Sequence, residues 1–191
     1  MAWLDEKLSL FADDDYVLFD CPGQIELYSH IPVMKRIANA LQTRMDFRIC
    51  GVYLLDSMFI SDVSKFVAGS LSALSAMVSL ELPHVNVLSK CDLVSNKDRI
   101  TKFLQCDTAD FENSLSTCLP RSKQFNTLNI SICKLLEEYS LVNFLPLDVT
   151  DEDSLESVLM QVNSTIQFGE DLEPRTQDFE DGEETRAGDE E

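Results

Sequence analysis

Short, mainly hydrophobic runs alternate along this chain with longer stretches in which hydrophobic residues recur at helical spacing. The runs at 16–19, 49–55 and 85–88 have no helical period and are followed by acidic, polar or turn-forming residues. Such runs are typical of strands buried on both faces of a parallel sheet. A fourth run, at 142–147, contains Pro146, which favours an edge position because proline donates no backbone hydrogen bond.

The stretches between these runs predict helices. A short amphipathic helix is expected within 1–15, and a segment from 25 to 43 should restart at Pro32, a residue that suits a first helical turn. The longest helix is expected from 59 to 80. The remaining helices are expected near 98–105, 109–117, 123–139 and 155–168. Because strands and helices alternate, we expect an α/β fold with a mainly parallel sheet flanked by helices.

Charge changes this picture at the carboxyl end. The 191 residues carry a formal net charge of −19. Residues 170–191 hold 11 acidic against 2 basic side chains, hence −9, which leaves −10 for residues 1–169. We therefore expect one domain over 1–169 and a disordered acidic tail over 170–191, which either only solvates the protein or steers it towards a basic partner. This charge argues against direct nucleic-acid binding.

Location and cysteine chemistry follow from what the sequence lacks. We find no apolar stretch of membrane-spanning length and no signal-peptide pattern, so we expect a protein of the cytoplasm, with shuttling to the nucleus as the alternative, and no membrane partner. Its six cysteines include no C-x-x-C pair. In such a protein they are most simply reduced core or loop residues, and zinc ligation is the alternative.

The first run ends in Asp20, which is followed by Cys-Pro-Gly and Gln24. A carboxylate at the carboxyl end of a parallel strand lies where ligands bind in open α/β sheets, and it could hold Mg²⁺ directly or through water. Gly23 carries no Cβ, so its backbone amide can approach a ligand closely. This layout is typical of the second phosphate motif of nucleotide triphosphatases. An ordinary strand-to-turn junction with a capping Asp is the alternative.

The third run leads into Ser89-Lys90-Cys91-Asp92, which has the [N/T/S]-K-x-D pattern that selects guanine. A carboxylate can accept two hydrogen bonds from the ring N–H and the amine of guanine, a pair that adenine cannot supply. The aliphatic stem of the lysine can lie over the base while its ammonium stays solvated. Asp56, which ends the second run, is expected to cap or orient a loop, with metal ligation as the alternative.

Several blocks of the sequence resemble the GPN-loop GTPase family. They are F-D-C-P-G-Q-I-E-L-Y-S-H-x-P-V-M, C-G-V-Y-L-L-D-S, the segment ending in V-N-V-L-S-K-C-D-L, and F-G-E-D-L-E, and the resemblance covers residues 13–173. It implies a P-loop NTPase fold, a G domain of the SIMIBI type, that lacks its first strand and its P-loop. It also implies that the domain dimerises across its nucleotide sites.

The resemblance implies roles for particular residues, with GTP and Mg²⁺ as cofactors. Asp20 would be catalytic and would bind Mg²⁺, Gly23 would give its amide to the γ-phosphate, and Gln24 would position the attacking water. The residues implied in base recognition are Ser89, Lys90, Cys91 and Asp92, with Leu147 and Asp148 in a loop that brushes the base. The implied partners are a type 1 GPN-loop GTPase, as a heterodimer, and RNA polymerase II subunits or assembly factors during nuclear import.

The sequence departs from this family in two motifs. It contains neither G-x-x-x-x-G-K-[S/T] nor the Gly-Pro-Asn tripeptide, so it lacks the amides, the lysine and the hydroxyl that cradle phosphates. We therefore expect no GTP hydrolysis by this chain alone. Two explanations remain open: an amino-terminally truncated product of a GTPase, or a genuine short form that acts as a non-catalytic interaction module.

Overall fold

The computed structural model describes residues 2–11, 15–24, 26–29, 31–104, 127–128, 130–132, 134 and 143–170. Its described strands form one parallel sheet of three, β1 (Gly51–Asp56), β2 (His84–Ser89) and β3 (Phe144–Pro146), in the order β1-β2-β3. Helices lie before, between and after these strands. This arrangement confirms the predicted α/β class.

The helices before the sheet are α1 (Ala2–Leu8), α2 (Glu26–Ser29) and α3 (Val33–Met45). The predicted restart at Pro32 is confirmed, because Pro32 stands at the amino-terminal cap of α3. A proline suits this place since its missing N–H would have no partner within the helix. Helices α2 and α3 contact each other and the long helix that follows β1.

That long helix, α4 (Val63–Leu80), connects β1 to β2 after a short 3₁₀ turn at Ser57–Ser61. Asp62 caps its start by accepting a hydrogen bond from the backbone N–H of Ser64 at 2.8 Å. Glu81 ends it in the left-handed conformation, with φ of 55°. The helix approaches β1 closely at Gly69, where an added Cβ would lie 2.8 Å from Leu55 Cδ1.

The core lies between α4, the strands and α5 (Lys97–Leu104). Leu88 of β2 and Ala73 of α4 are fully buried, and Phe66 of α4 packs against Phe103 and Phe144 with ring centroids 5.7 Å apart in each pair. The buried members of this cluster are Leu55, Ile60, Phe66, Ala73, Leu88, Cys91, Ile100 and Phe144. The core therefore extends up to the cysteine of the S-K-C-D motif.

The last helix, α6 (Glu152–Thr165), follows β3 and contacts β2. Acidic Glu152 and Asp153 occupy its first turn, where they suit the positive end of the helix dipole. None of the residues of α6 is buried, and its Leu155 and Leu159 are 44% and 52% exposed. On β1, Val52 and Leu54 are likewise exposed.

The predicted strand at 16–19 is wrong. Residues 15–24 have no regular secondary structure, and none of the side chains of 16–19 is buried; Leu18 is 85% exposed. A strand needs a hydrogen-bonded neighbour, and in the described part of the chain β1 pairs only with β2. None of the described strands pairs with 16–19, so Asp20 does not stand at the carboxyl end of a sheet strand.

The other predicted elements agree with the structure within a few residues. The predicted helix at 123–139 is confirmed at 127–128, 130–132 and 134, which are the parts of it that the structure describes. The predicted helix at 109–117 and the acidic tail beyond residue 170 lie outside the described residues.

Helix α4 differs from the expectation that no apolar stretch of the chain has membrane-spanning length. By length and composition alone it could cross a membrane, with a mean hydropathy of 1.4. One third of the helix is buried, and its buried face contacts β1 and contributes Phe66 and Ala73 to the core.

Candidate functional site

The carboxyl ends of β1 and β2 form one edge of the sheet, where Asp56 and Ser89 are register partners. Because parallel strands point the same way, the loops that follow them meet at this edge, which is the usual place for a ligand. The hydroxyl of Ser89 donates a hydrogen bond to the backbone carbonyl of Leu55 at 3.1 Å. The first residue of the S-K-C-D motif therefore ties β2 to β1.

The rest of this motif forms a tight turn. Lys90 adopts the left-handed conformation with φ of 61°, and Cys91–Leu93 form a 3₁₀ turn in which Leu93 N–H donates to the Lys90 carbonyl at 3.1 Å. Cys91 is buried in the core, and burial raises the pKa of its thiol. Asp92 is exposed. The turn thus anchors its cysteine in the core and presents its aspartate to solvent.

Two residues hold this turn: Asp56, the last of β1, and Ser57, which follows it. The hydroxyl of Ser57, which is buried, donates to the Lys90 carbonyl at 2.8 Å. The ammonium of Lys90 lies 2.7 Å from Asp56 Oδ2, and this hydrogen bond lowers the pKa of the Asp56 carboxyl. Asp56 Oδ1 also accepts from the N–H of Met58 at 2.8 Å. The prediction that Asp56 caps and orients a loop is confirmed.

An open cleft of about 240 Å³ lies beside this turn. Its lining combines the Asp56–Lys90 ion pair with apolar side chains, and Met58 and Leu93 are largely exposed there. The complete lining is Asp56, Ser57, Met58, Ile60, Ser61, Lys90, Leu93 and Val94. A lysine stem and apolar side chains offer a flat base the kind of surface on which it can stack.

The loop after β3 meets the same turn. The Leu147 carbonyl accepts a hydrogen bond from Cys91 N–H at 3.0 Å, and Leu147 N–H donates to the Leu88 carbonyl at 2.8 Å. The structure therefore places Leu147 next to the S-K-C-D turn. Its contact with a base stays a prediction.

The carboxylate of Asp148 is occupied within the protein. Oδ1 accepts from Thr150 N–H at 3.0 Å and from Thr150 Oγ1 at 2.6 Å, and Oδ2 lies 2.9 Å from the Lys97 ammonium. These bonds, first of all that of the Thr150 hydroxyl, lower the pKa of Asp148 to about 2. Asp148 therefore fixes the loop after β3 to α5. Because both of its carboxylate oxygens have partners in the protein, the structure does not support its predicted contact with a base.

The predicted catalytic residues lie apart from regular structure. Asp20, Gly23 and Gln24 belong to the exposed segment 15–24, and a Cβ added at Gly23 would meet nothing within 4 Å. The phenol of Tyr28 in α2 donates a hydrogen bond to the Pro22 carbonyl and so fastens this segment to the helix that follows.

The donor atoms for a metal ion are not assembled in the described residues. Among them, no group of three His, Cys, Asp or Glu side chains could hold a metal ion. We derive no catalytic step through Asp20 or Gln24, whose roles stay predictions.

Sequence reasoning missed several residues that build this site. No role was predicted for Ser57 or for Lys97 of α5, yet their polar groups hold the loops after β2 and β3. The available signal was the Asp56-Ser57 pair directly after a strand, since aspartate and serine favour helix caps and turns. Nothing local in the sequence pairs Lys97 with Asp148, because their contact spans 51 residues.

Comparison with known proteins adds an independent line of evidence. A family described as conserved hypothetical ATP binding protein matches residues 1–168. The chain is 50% identical over 173 residues to GPN-loop GTPase 3 of Danio rerio, with 90% of this chain and 60% of the relative covered.

Similar matches occur in fungi and amoebae. Identity is 42% over 194 residues to GPN-loop GTPase 3 of Mycosarcoma maydis, which covers 95% of this chain and 68% of the relative. For the Dictyostelium discoideum protein of the same name, identity is 46% over 178 residues, which covers 92% of this chain and 61% of the relative. The chain thus spans 60% to 68% of the length of these curated relatives. With the parallel sheet flanked by helices, these matches show that the chain belongs to the GPN-loop GTPase family.

Proposed function

We propose that this chain binds guanine nucleotides through the turn Ser89–Asp92, as a type 3 member of its family. The observation that carries the proposal is the geometry of this turn at the carboxyl edge of the sheet. Cys91 is held in the core while Asp92 is exposed, between Lys90 and Leu93, which both line the cleft. The only acidic group of the motif is therefore free to accept hydrogen bonds from a ligand.

Each residue of the turn has a distinct part in this proposal. Asp92 accepts two hydrogen bonds from the N1–H and the amine of guanine, and a charged acceptor strengthens both. Lys90 offers its aliphatic stem to the face of the base. Ser89 and Cys91 act through the protein: the serine hydroxyl joins the two strands, and the cysteine anchors the turn in the core.

The choice between guanine and adenine is the sharpest test, since the matching family is described by ATP binding and the relatives are named GTPases. We expect a fluorescent guanosine diphosphate bound to this chain to be displaced by GTP and poorly by ATP. Asp92→Asn should abolish this preference, while Asp98→Asn, an exposed substitution in the first turn of α5, should preserve it. Equal displacement by ATP and GTP from the wild-type chain would refute the proposal.

We propose that GTP hydrolysis requires the longer form of the protein, in which GTP and Mg²⁺ are bound. In that form the residues equivalent to Asp20 and Gln24 have the catalytic roles that the resemblance implies. For this chain alone we expect no phosphate release above that of a mock purification in the presence of Mg²⁺. The support is the missing phosphate-binding loop and the lack of a metal-binding group among the described residues. Release that disappears in Asp20→Ala would contradict this expectation.

We also propose the partners and the location that the family implies: a heterodimer with a type 1 GPN-loop GTPase, and a role in the assembly and nuclear import of RNA polymerase II from the cytoplasm. The support is the similarity to proteins named GPN-loop GTPase 3. We propose the helix predicted at 59–80, which is α4 (Val63–Leu80) in the structure, and the helix after Gln24 as the packing and dimer surfaces.

A second candidate function, a non-catalytic interaction module, is favoured by the exposed edge of the sheet. β1 lies at the edge of the described sheet, and its Leu54 is 61% exposed. Exposed strand edges with apolar side chains favour association with another chain.

Leu54→Lys should therefore raise the solubility of the isolated chain and weaken its co-purification with a type 1 GPN-loop GTPase. Unchanged co-purification in Leu54→Lys would argue against an interface at β1.

A further inference from the structure

The corner formed by Asp56 and Ser57 contacts the S-K-C-D turn, although neither residue belongs to the S-K-C-D motif. Ser57 is 3% exposed, and its hydroxyl donates to the Lys90 carbonyl at 2.8 Å. Asp56 Oδ2 pairs with the Lys90 ammonium at 2.7 Å. One corner thus holds both the backbone and the side chain of the same lysine.

The backbone contact stabilises an unfavourable conformation. Lys90 has φ of 61°, a region that residues with a Cβ rarely adopt. Its carbonyl accepts two hydrogen bonds, from the Ser57 hydroxyl and from Leu93 N–H at 3.1 Å. Because Asp92 lies between the two ends of this turn, its position depends on these bonds.

The side-chain contact orders a group that would otherwise be mobile. The Lys90 side chain is 59% exposed, and a lysine in such surroundings samples many rotamers. Asp56 is itself held in place, since its second oxygen accepts from Met58 N–H at 2.8 Å. The ammonium of Lys90 therefore meets a fixed acceptor, and the aliphatic stem of Lys90 is kept in the wall of the cleft.

We propose that Asp56 and Ser57 are positioning residues for base recognition, an inference that rests on the guanine-binding function proposed above. Asp56 orders the stem of Lys90, which contacts any purine, so it sets affinity without selecting the base. Ser57 holds the turn that carries Asp92, so it sets the preference for guanine. Preorganisation of this kind raises affinity because less conformational entropy is lost on binding.

The two roles are separable by measuring dissociation constants for GDP and ADP. Asp56→Asn should weaken both nucleotides roughly two- to fivefold, as expected for the loss of an exposed ion pair, and leave their ratio unchanged. Ser57→Ala should weaken GDP roughly fivefold and ADP less, so that the ratio falls. Ser57→Thr, which keeps the hydroxyl, should restore the ratio.

Matched controls exist elsewhere in the chain. Asp62→Asn alters an aspartate that caps α4 in the same way but does not touch Lys90. Ser157→Ala removes a hydroxyl that donates to a backbone carbonyl within α6 at 2.8 Å. Both controls should bind the nucleotides as the wild type does, and thermal unfolding of every variant verifies that it is folded.

A readout without nucleotide tests the ordering of Lys90 directly. The hydrogen bond to Asp56 raises the pKa of the Lys90 ammonium, so less neutral amine is present at a given pH. Acylation of Lys90 at mildly alkaline pH can be followed by peptide mass spectrometry. Its rate should be higher in Asp56→Asn than in the wild type and the same as the wild type in Asp62→Asn. Equal acylation rates in the wild type and Asp56→Asn would overturn the role of Asp56.

The outcomes distinguish this inference from the function on which it rests. If the wild type prefers GDP but Asp56→Asn and Ser57→Ala bind like their controls, the positioning role is overturned and the proposed function stands. If the wild type shows no preference for GDP, the proposed function fails, and the positioning role is overturned with it.

Discussion

Asp148 shows how a single residue can look like a ligand in sequence and act as a structural group in the fold. Resemblance placed it in a loop that brushes the base, and the structure does bring that loop to the S-K-C-D turn through Leu147. The carboxylate itself is satisfied by Thr150 and Lys97. The ionised carboxylate of Asp148 therefore contributes to the stability of the fold, and this contribution depends on pH.

Asp148→Asn should lower the stability of the folded chain at neutral pH. The folded pKa of Asp148 is depressed to about 2, so its contribution is complete above the ordinary carboxyl range and is lost as the pH falls towards 2. The difference in urea midpoint between the wild type and Asp148→Asn should thus be constant near pH 6 and shrink below pH 4. Glu156→Gln, exposed on α6, is the control; a difference independent of pH would contradict this assignment.

At the scale of elements, the sequence predicted those strands and helices whose neighbours the chain itself supplies. β1, β2 and α4 are confirmed because their hydrophobic pattern agrees with the packing they find. The run at 16–19 has the same pattern and yet forms no strand, because the pattern does not specify whether a run pairs with another strand. Residue patterns record burial and period, whereas long-range contacts such as Lys97–Asp148 leave no local trace.

The contact between α4 and β1 makes a prediction at this scale. Gly69→Ala would place a methyl group 2.8 Å from Leu55 Cδ1, in a packed core, although alanine itself favours helix. The cost of crowding should exceed the gain in helix propensity. Urea titration should therefore show that the free energy of unfolding of Gly69→Ala is lower than that of the wild type by about 1 kcal/mol. Leu55→Val should remove part of this loss in the double variant. Ser75→Ala, exposed on α4, should not destabilise, and a stabilising Gly69→Ala would show that the core is loosely packed there.

At the scale of the whole molecule, negative charge is concentrated in residues 170–191, which carry 11 acidic against 2 basic side chains. Charges separated from a partner by more than a Debye length of ~8 Å at physiological salt are largely screened. A tail that steers the chain onto a basic partner should therefore act on association rates and depend on salt, whereas a solvating tail should not.

Deletion of 170–191 separates these two interpretations. If the tail steers, the deletion should slow association with a basic client several-fold at low salt and have little effect at high salt. Thermal unfolding should be unchanged, because α6 ends at Thr165. Stopped-flow association rates at two salt concentrations measure the effect, and equal rates at low salt would leave the tail only its solvating role.

The most direct test of the central claim, that Asp92 reads guanine, is a change of specificity. Xanthine carries a carbonyl where guanine carries its amine, so an asparagine amide can donate to xanthine where the aspartate accepted from guanine. Titration of the wild type with guanosine and xanthosine diphosphates should show a preference for the guanosine form. Asp92→Asn should reverse that preference by roughly tenfold or more, whereas Asp98→Asn should not. The same guanosine-to-xanthosine ratio in the wild type and Asp92→Asn would contradict the account.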